Sequence, residues 1–403
     1  MGKLLGDPAR DLDLLCSGAG LALMAELPAG PLDPAEALRL AGRLRGSHPP
    51  ALVAAVMAER ELRQRARAKF ALAGRMWLTR DGLEQASAEP LARYRAARFR
   101  PFDRVADLCC GIGGDLCALA PGRAAVAVDR DPVHLRMAGL NAGLHGAAEL
   151  DAVQADVADL RLDGWPAAFV DPARRASGRR LPPGASQPPL GWCLALAGRV
   201  GAVAVKAAPG LPPGLVPAGW EGEFLADRRE LKEAVLWSPA LAGTARRATV
   251  LPGGDTLAGE PGPAVACAAP GRFLLDPNPA VTRAGLVEEL ARALGAWKLD
   301  PRIAFLSADR PLRSPFGRGL TVLASLPWNL KRLREALRER RVGVVEVRKR
   351  GSAVDAAELT ARLRPRGEER AVVVLTRVQG RPWALVCAEL APDAPAARPP
   401  GRG

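Results

Sequence analysis

The chain has 403 residues, with 57 lysines and arginines against 43 acidic residues, a formal net charge of +14 at pH 7 and a pI of about 10.3. This length predicts roughly two or three domains, and the excess of positive charge predicts an anionic partner. The apolar runs are short and broken by Arg, Pro or Gly, which excludes a transmembrane helix. Because the seven cysteines lack regular spacing and the amino terminus lacks a secretory pattern, we expect a cytoplasmic protein with no membrane or metal partner.

The first 100 residues have the spacing of helices. The segments 34–44 and 50–60 each begin with proline, which favours the first helical turn, and continue with apolar residues at helical intervals. Residues 59–69 carry a dense positive charge. The sequence leaves two interpretations of this charge open: a solvated helix face, or a surface that contacts nucleic acid.

The next segment has the pattern of a nucleoside-binding unit. An apolar run from Val105 enters the glycine-rich turn 109–114, and a second apolar run ends at Asp129. Glycines let a ligand approach the backbone, and a carboxylate at a strand tip binds ribose hydroxyls. A dinucleotide fingerprint would have glycine in place of Leu116, and Asp115 disfavours bound phosphate. A cofactor with an amino-acid end, a ribose and a base but no phosphate fits this turn, and S-adenosylmethionine is such a molecule.

Acidic residues recur at the ends of successive apolar runs. Asp107 precedes the glycine turn, where it could meet a charged amino group. Asp156 ends a third run, where it could hold the adenine amino group, and Asp171 ends a fourth. The run 201–206 predicts a fifth strand. In an open parallel sheet the carboxyl ends of the strands form the ligand-binding edge, so these acids predict a cofactor site there.

On these motifs, residues 101–250 resemble a class I S-adenosylmethionine-dependent methyltransferase, and 107–115 with 128–132 are similar to its trimethylguanosine-synthase-like branch. The segment 79–89, with Asp81, Gly82 and Ser87, loosely resembles the upstream segment that touches the cofactor in that branch. The whole chain resembles bacterial methyltransferases that carry a THUMP-like C-terminal domain. The resemblance implies S-adenosyl-L-methionine as cofactor and the following binding residues: Asp107, Cys109, Gly111, Gly113, Gly114, Asp129 and Asp156.

The acceptor side is indicated by Asp-Pro-Ala-Arg at 171–174. Amino-group methyltransferases of this class usually have Asp/Asn-Pro-Pro and an aromatic residue there. The second proline and the stacking ring are therefore absent, although a guanidinium also stacks on bases and binds phosphate. The resemblance implies Asp171 and Pro172 as catalytic residues, and the chemistry of the guanidinium suggests Arg174 as a third that replaces the ring.

The methylated atom stays open. An exocyclic amine would donate hydrogen bonds to Asp171 and to the Pro172 carbonyl, whereas a ring nitrogen would use Asp171 as a base. Carbon methylation would need a nucleophile such as Cys193, and we rank that route last. His134 is interpreted as a surface or helix-end residue.

The C-terminal part predicts a small α+β module. Residues 220–251 are expected to form closing antiparallel strands, and a turn-rich linker follows at 252–263. The module is expected to contain helices at 281–294, 330–341 and 356–363 and strands at 342–348, 371–376 and 382–388. Its clustered basic residues have the character of an RNA-backbone footprint, as the RNA-binding role of THUMP domains also implies: Arg341, Arg348, Lys349 and Arg350.

Together these features predict a helical domain over 1–100, a methyltransferase domain over 101–252 and a THUMP-like domain over 270–392. The fold class is α/β: a Rossmann-like class I methyltransferase sheet with a helical N-terminal domain and a small α+β THUMP-like domain. The predicted function is S-adenosylmethionine-dependent methylation of a base nitrogen in RNA. The alternatives are a small-molecule or protein methyltransferase, or a non-catalytic RNA-binding protein that retains a cofactor site.

Overall fold

The computed structural model describes residues 7–28, 30–173, 175–176, 179–180 and 185–391. The chain divides into two compact units, Met1–Ala208 with Leu236–Leu241, and Pro209–Val235 with Ala242–Gly403. Within the described ranges, no helix is both long enough and apolar enough to cross a membrane. The three predicted domain boundaries stay predictions.

The first unit begins with helices whose starts are capped. The carboxylates of Asp7 and Asp33 accept hydrogen bonds from first-turn amides of the first and third helices, and proline follows each cap. The helical N-terminal region predicted from the sequence is confirmed. The helices of this unit are α1 (Pro8–Cys16), α2 (Gly18–Glu26), α3 (Pro34–Leu44), α4 (Pro50–Ala66), α5 (Arg80–Gln85), α6 (Glu89–Ala96), α7 (Leu116–Leu119), α8 (Pro132–Leu144) and α9 (Leu190–Ala195).

The strands of the first unit are β1 (Arg104–Leu108), β2 (Ala124–Asp129), β3 (Glu149–Gln154), β4 (Ala167–Val170), β5 (Arg175–Ala176), β6 (Arg179–Arg180) and β7 (Ala202–Ala207). Five of them form a parallel sheet in the order β7-β4-β1-β2-β3. The central strands are buried along nearly their whole length, as their continuous apolar runs require. The predicted Rossmann-like sheet is confirmed, and its carboxyl edge brings the strand-end acids together.

A buried asparagine joins the N-terminal segment to the glycine turn. Asn141 of α8 is fully buried; its Oδ1 accepts from Trp77 N (2.8 Å), and its Nδ2 donates to Trp77 O (3.0 Å) and Ile112 O (2.9 Å). Ile112 also packs in the apolar core that contains Val53 and Val56 of α4. The N-terminal helices and the glycine turn are therefore parts of one core.

The second unit contains the strands β8 (Glu221–Asp227), β9 (Glu230–Trp237), β10 (Arg246–Leu251) and β11 (Asp255–Gly259). β8 lies between β9 and β10, and β10 pairs with β11 in antiparallel fashion. The prediction that all closing strands are antiparallel is wrong, because β8 and β10 pair in parallel. After β9 the chain passes to the other side of β8, so that β10 runs in the same direction as β8.

The C-terminal sheet has seven strands in the order β13-β14-β12-β15-β18-β17-β16. Its strands are β12 (Phe273–Pro277), β13 (Trp297–Lys298), β14 (Leu306–Ala308), β15 (Gly317–Pro327), β16 (Val342–Lys349), β17 (Glu369–Val378) and β18 (Arg381–Glu389), and its helices are α10 (Pro279–Ala284), α11 (Val287–Ala293), α12 (Leu330–Glu339) and α13 (Ala356–Leu363). The elements predicted between 330 and 388 are confirmed, whereas β12 to β15 were not predicted.

The single helix predicted over 281–294 is wrong. Gly285 adopts a left-handed conformation (φ +74°) and its N–H donates to carbonyls of α10, which ends that helix. A second short helix, α11, then begins at Val287. A glycine near the end of a helical pattern is a common C-cap, because it adopts this conformation without steric cost.

One carboxyl group of α4 lies in the apolar interior of the first unit. Glu59 is 2% exposed and accepts a hydrogen bond from Arg63 Nε at 3.0 Å. Burial raises the pKa of Glu59 from 4.5 to about 7, although Arg63 opposes the shift. Since the folded-state pKa is raised, the stability that Glu59 contributes is fully present below about pH 4.5 and is lost as the pH rises through about 7.

We predict that Glu59→Gln removes this pH dependence. Relative to the variant, the wild-type protein should lose up to roughly 3 kcal/mol of unfolding free energy between about pH 5 and about pH 8. Urea unfolding across that range measures the difference. Glu61→Gln, on the exposed side of the same helix, is the control and should follow the wild-type profile. Parallel profiles for Glu59→Gln and the wild type would contradict the prediction.

Candidate active site

A cavity of about 770 Å³ opens at the carboxyl ends of β1, β2 and β4 in the first unit. Five of the predicted cofactor residues line it: Cys109, Gly111, Gly114, Asp129 and Asp156. The upstream segment also reaches the cavity through Asp81, Gly82 and Ser87. Its volume is sufficient for a nucleoside cofactor and a second molecule, because single-ligand pockets begin at about 300 Å³.

The glycine turn needs its glycines for different reasons. Gly111 (φ +53°) lines the cavity, and a Cβ on it would meet no atom within 4 Å, so its missing side chain leaves space for a ligand. Gly113 (φ +84°) is a packing glycine, since its Cβ would lie 2.9 Å from Ala138 Cα. Cys109 also adopts a positive φ (62°), which is strained for a residue with a side chain.

Asp129 stands at the tip of β2. Its Oδ2 accepts a hydrogen bond from Gly111 N at 2.8 Å and its Oδ1 accepts one from Asp131 N at 2.9 Å. Each carboxylate oxygen has a further lone pair, so the group can still accept ribose hydroxyls. Asp156 is exposed at the other end of the cavity, and its Oδ1 accepts from Ala158 N.

Asp107 lies behind the cavity lining and is fully buried. Among the described residues, neither of its carboxyl oxygens has a hydrogen-bond partner. Burial and the nearby carboxylates of Asp115, Asp171 and Asp129 raise the pKa of Asp107 well above its ordinary value. A buried acceptor without a donor costs free energy, and a cationic ligand in the cavity would lower that cost. The site therefore fits a cofactor with a sulfonium and an ammonium group.

The opposite end of the glycine turn is fixed by a buried ion pair. Arg95 of α6 is 1% exposed and pairs with Asp115, with Nε 3.1 Å from Oδ1. Although burial opposes ionisation, the Arg95 guanidinium holds the pKa of Asp115 below its usual range. Sequence reasoning missed Arg95, because no local pattern marks an arginine that is buried by residues distant in the chain.

On the acceptor side, Asp171 is held by a lysine. Lys206, at the end of β7, is 5% exposed, and its Nζ donates to Asp171 Oδ2 at 2.6 Å and to Ser87 Oγ at 2.8 Å. The sequence placed Lys206 only at the end of a strand. The available signal was a lysine among otherwise apolar residues, because a charge in a buried strand needs a partner.

The segment after β4 is pinned to a second segment of the cavity wall. Ala173 N donates to Gln187 O at 2.8 Å, and Gln187 N donates to Ala173 O at 2.9 Å. Pro172, Ala173, Gln187, Pro188 and Pro189 all line the cavity, and no Phe, Tyr or Trp occurs among its described lining residues. Arg174 lies outside the described residues.

His134 lies at the cavity rather than on a free helix surface. It lines the cavity, is 20% exposed, and its Nε2 is 2.8 Å from Thr79 Oγ1. This contact joins α8 to the start of α5. Its structural role is to hold the upstream segment against the cofactor side.

The four predicted RNA-binding residues differ in their surroundings. Arg348 and Arg350 donate hydrogen bonds to Asp276, which is 3% exposed, and Lys349 Nζ donates to Val354 O. Arg341 is exposed and lies 3.7 Å from Glu368. The set stays a prediction, but Arg348, Lys349 and Arg350 donate hydrogen bonds within the fold and Arg341 lies near a carboxylate.

The described part of the chain contains no group of three or more His, Cys, Asp or Glu residues that could hold a metal ion. All seven cysteines are free thiols. Burial raises the pKa of the Cys193 thiol to about 12, which makes it a poor nucleophile near neutral pH.

The chain is 41% identical over 313 residues to uncharacterized S-adenosylmethionine-dependent methyltransferases from two strains of Mycobacterium tuberculosis, covering 75% of this chain and 85% of each relative. It belongs to the S-adenosylmethionine-dependent methyltransferases. The cofactor of this family is S-adenosylmethionine, so the cofactor expected from the glycine turn is confirmed.

Two further similarities concern the domains and the fold. Residues 317–389 match the family model of the THUMP domain-like group, which confirms the THUMP-like C-terminal region, and residues 8–66 match a domain of unknown function, DUF8688. The crystal structure of a methyltransferase candidate from Porphyromonas gingivalis is similar with a TM-score of 0.72 at 20% identity, covering 89% of this chain and 100% of that chain. This likeness supports the predicted fold.

We predict that Asp129→Ala weakens S-adenosylmethionine binding by about a hundredfold, because two charge-assisted hydrogen bonds to ribose would be lost. Isothermal titration calorimetry measures the Kd. Asp129→Asn can still accept a hydrogen bond from one backbone amide. It therefore separates the effect of losing the hydrogen bonds to ribose from the effect of disrupting the glycine turn. Asp151→Ala, on the exposed strand β3, is the control. Normal binding by Asp129→Ala would mean that the ribose lies elsewhere.

Proposed function

We propose that the protein transfers the methyl group of S-adenosylmethionine to a base nitrogen in RNA. The observation that carries the proposal is the Lys206–Asp171 pair at the cavity wall, directly after β4. This arrangement supports a fixed hydrogen-bond acceptor for an amine. The THUMP-like region and the net charge of +14 support a polynucleotide as the molecule that carries the amine.

The residues of the acceptor side have simple tasks. The bound cofactor supplies an electrophilic methyl carbon on a sulfonium, and alignment of the acceptor supplies much of the rate. Asp171 and the Pro172 carbonyl would accept hydrogen bonds from the amine and orient its lone pair toward the methyl carbon. The N–C bond would form as the methyl–sulfur bond breaks and the sulfur leaves as a neutral thioether, and Asp171 would take up the proton that the nitrogen loses and pass it to water.

Lys206 is a positioning residue in this proposal. Its ammonium holds Asp171 Oδ2 at 2.6 Å and offsets part of the negative charge of the neighbouring carboxylates. Ser87 Oγ fixes the ammonium from the other side at 2.8 Å. The orientation of Asp171 is thereby set before an acceptor binds, which is the purpose of a preorganised site.

The second unit supplies surfaces suited to an RNA backbone. Lys331, Arg332 and Arg338 are exposed along α12, whose buried side carries Leu333 and Leu337. With Arg341, these residues extend the predicted RNA-binding set. We infer that the enzyme acts in the cytoplasm, which the free thiols support.

A small-molecule or protein acceptor is the second candidate. The described cavity lining lacks the Phe, Tyr or Trp ring that usually stacks on a target base in this class, and this favours a different acceptor. A non-catalytic protein that retains the cofactor site is the third candidate.

We predict that the purified enzyme transfers labelled methyl from S-adenosylmethionine to unmodified cellular RNA. Digestion of the labelled RNA to nucleosides and chromatography would identify the base and the atom. Label in a base nitrogen supports the proposal, and label in ribose or carbon refutes the predicted atom. Label in small molecules or proteins selects the second candidate. Cofactor binding without transfer to any fraction selects the third.

We predict that Lys206→Met lowers kcat by about a hundredfold, a loss of roughly 2.7 kcal/mol of transition-state stabilisation, because Asp171 loses its fixed orientation. The Kd for S-adenosylmethionine should change less than about threefold. Lys206→Arg should restore part of kcat, since it retains the charge.

Lys232→Met, on β9 outside the cavity, is the control for loss of a lysine. Melting temperatures of all variants test their folding. An equal loss of kcat and cofactor affinity in Lys206→Met would move Lys206 to the cofactor side. An unchanged kcat would remove its positioning role.

A further inference from the structure

A second cavity, of about 410 Å³, lies within the second unit. Its wall is formed by the turn between β8 and β9, the ends of β10 and β12, the start of β15, and Arg348 near the end of β16. None of its lining residues belongs to the cavity described above. Its charged lining residues are Arg228, Arg229, Arg318, Arg348, Asp255 and Asp276.

Arg228 is held in a strained conformation at this cavity. Its φ of +53° is left-handed, a region that favours glycine or asparagine. The strain is maintained by two hydrogen bonds: Arg228 N donates to Leu251 O at 2.7 Å, and Asn278 Nδ2 donates to Arg228 O at 2.6 Å. Such strain costs on the order of 1–3 kcal/mol and persists mostly where function requires it.

The floor of the cavity is Arg348, fixed on the buried carboxylate of Asp276, which a second arginine outside the lining also contacts. Arg348 donates to Asp276 Oδ2 from Nη2 (2.7 Å) and Nε (3.1 Å), and Arg350 Nε donates to Oδ1 (3.0 Å). Both oxygens of Asp276 are thus engaged, so this carboxylate orients guanidinium groups. Arg318 is fixed in the same way by Glu346 and Glu389.

The rim carries positive charge with little compensation. Arg228 and Arg229 are exposed, and Asp276 lies 3.9 Å from Arg229 Nη2. Burial lowers the pKa of Arg229, and the nearby charges of Arg318 and Arg348 lower it further. One positive charge is in excess when the five arginines 228, 229, 318, 348 and 350 are set against Asp255, Asp276, Glu346 and Glu389.

We propose that this cavity binds one phosphate group of a nucleic acid. Arg228 and Arg229 would close on the phosphate from the rim, and Arg348 would contact it from the floor. Guanidinium groups bind phosphate oxygens in paired hydrogen bonds, and the excess of arginines over carboxylates at the cavity favours an anion. The nucleic-acid part rests on the proposed RNA function, whereas binding of a phosphate group does not.

The first test is a calorimetric titration of the full-length protein with inorganic phosphate at low ionic strength. The double variant Arg228→Gly/Arg229→Ala removes the rim, and glycine keeps the left-handed turn without strain. The control Arg370→Ala/Arg381→Ala removes two exposed arginines of the same unit that do not line the cavity. We expect about tenfold weaker binding for the rim variant and less than about twofold change for the control.

Three results would overturn the proposal: no saturable phosphate binding by the wild type, unchanged binding by the rim variant, or an equal loss in the control. The second test uses single-stranded RNA of about 12 nucleotides with and without a 5′-phosphate. A loss confined to the phosphorylated RNA identifies a terminal phosphate, and an equal loss identifies an internal phosphodiester; both support the site. Phosphate binding without RNA binding would refute the nucleic-acid part and the RNA function, and would leave the anion site.

Discussion

The buried charges at the carboxyl ends of the parallel strands are the constraint on which the first unit depends. Asp107 and Asp115 are buried and Asp171 is partly buried beside them, so each needs a cation, a donor or a proton. Arg95 forms an ion pair with Asp115, Lys206 forms one with Asp171, and burial favours the protonated form of Asp107. Helix α6 is thus required by the electrostatics of the sheet edge, because it carries Arg95.

The same charges select the cofactor. A turn that presents backbone amides to a ligand would ordinarily suit a phosphate, as in dinucleotide-binding folds. Here two of those amides, Gly111 N and Asp131 N, already donate to Asp129. The field at the cavity is negative because its lining has more carboxylates than cations: Asp81, Glu84, Asp129, Asp131 and Asp156 against Arg130, apart from the paired Asp115 and Asp171. A phosphate would meet repulsion from several sides. A ligand with positive charge and a neutral ribose gains from the same field, and this is the physical basis of the match to S-adenosylmethionine.

The sequence revealed the features that are local in the chain. Apolar runs, turn glycines and strand-end acids are read from neighbouring residues, and they were sufficient for the parallel sheet and the cofactor class. The partners of buried charges are not local: Lys206 is 35 residues from Asp171, and Arg348 is 72 residues from Asp276. The parallel pairing of β8 and β10 depends on where the chain crosses, which no residue pattern records. Gly285 is different from these cases. Its local signal, a glycine near the end of a helical pattern, is present in the sequence, but the apolar spacing on both sides of it predicts one continuous helix.

The arginines of the second unit show why net charge alone is a poor guide to a binding surface. Arg318 pairs with Glu346 and Glu389, and Arg348 and Arg350 both pair with Asp276. Much of the charge of these arginines is therefore neutralised within the fold. Exposed residues such as Arg332 and Arg338 keep theirs available. Counterion release depends on the phosphates that a protein neutralises, and only cations that exchange water for phosphate contribute. The surface that decides affinity is therefore smaller than the formal charge of the chain suggests.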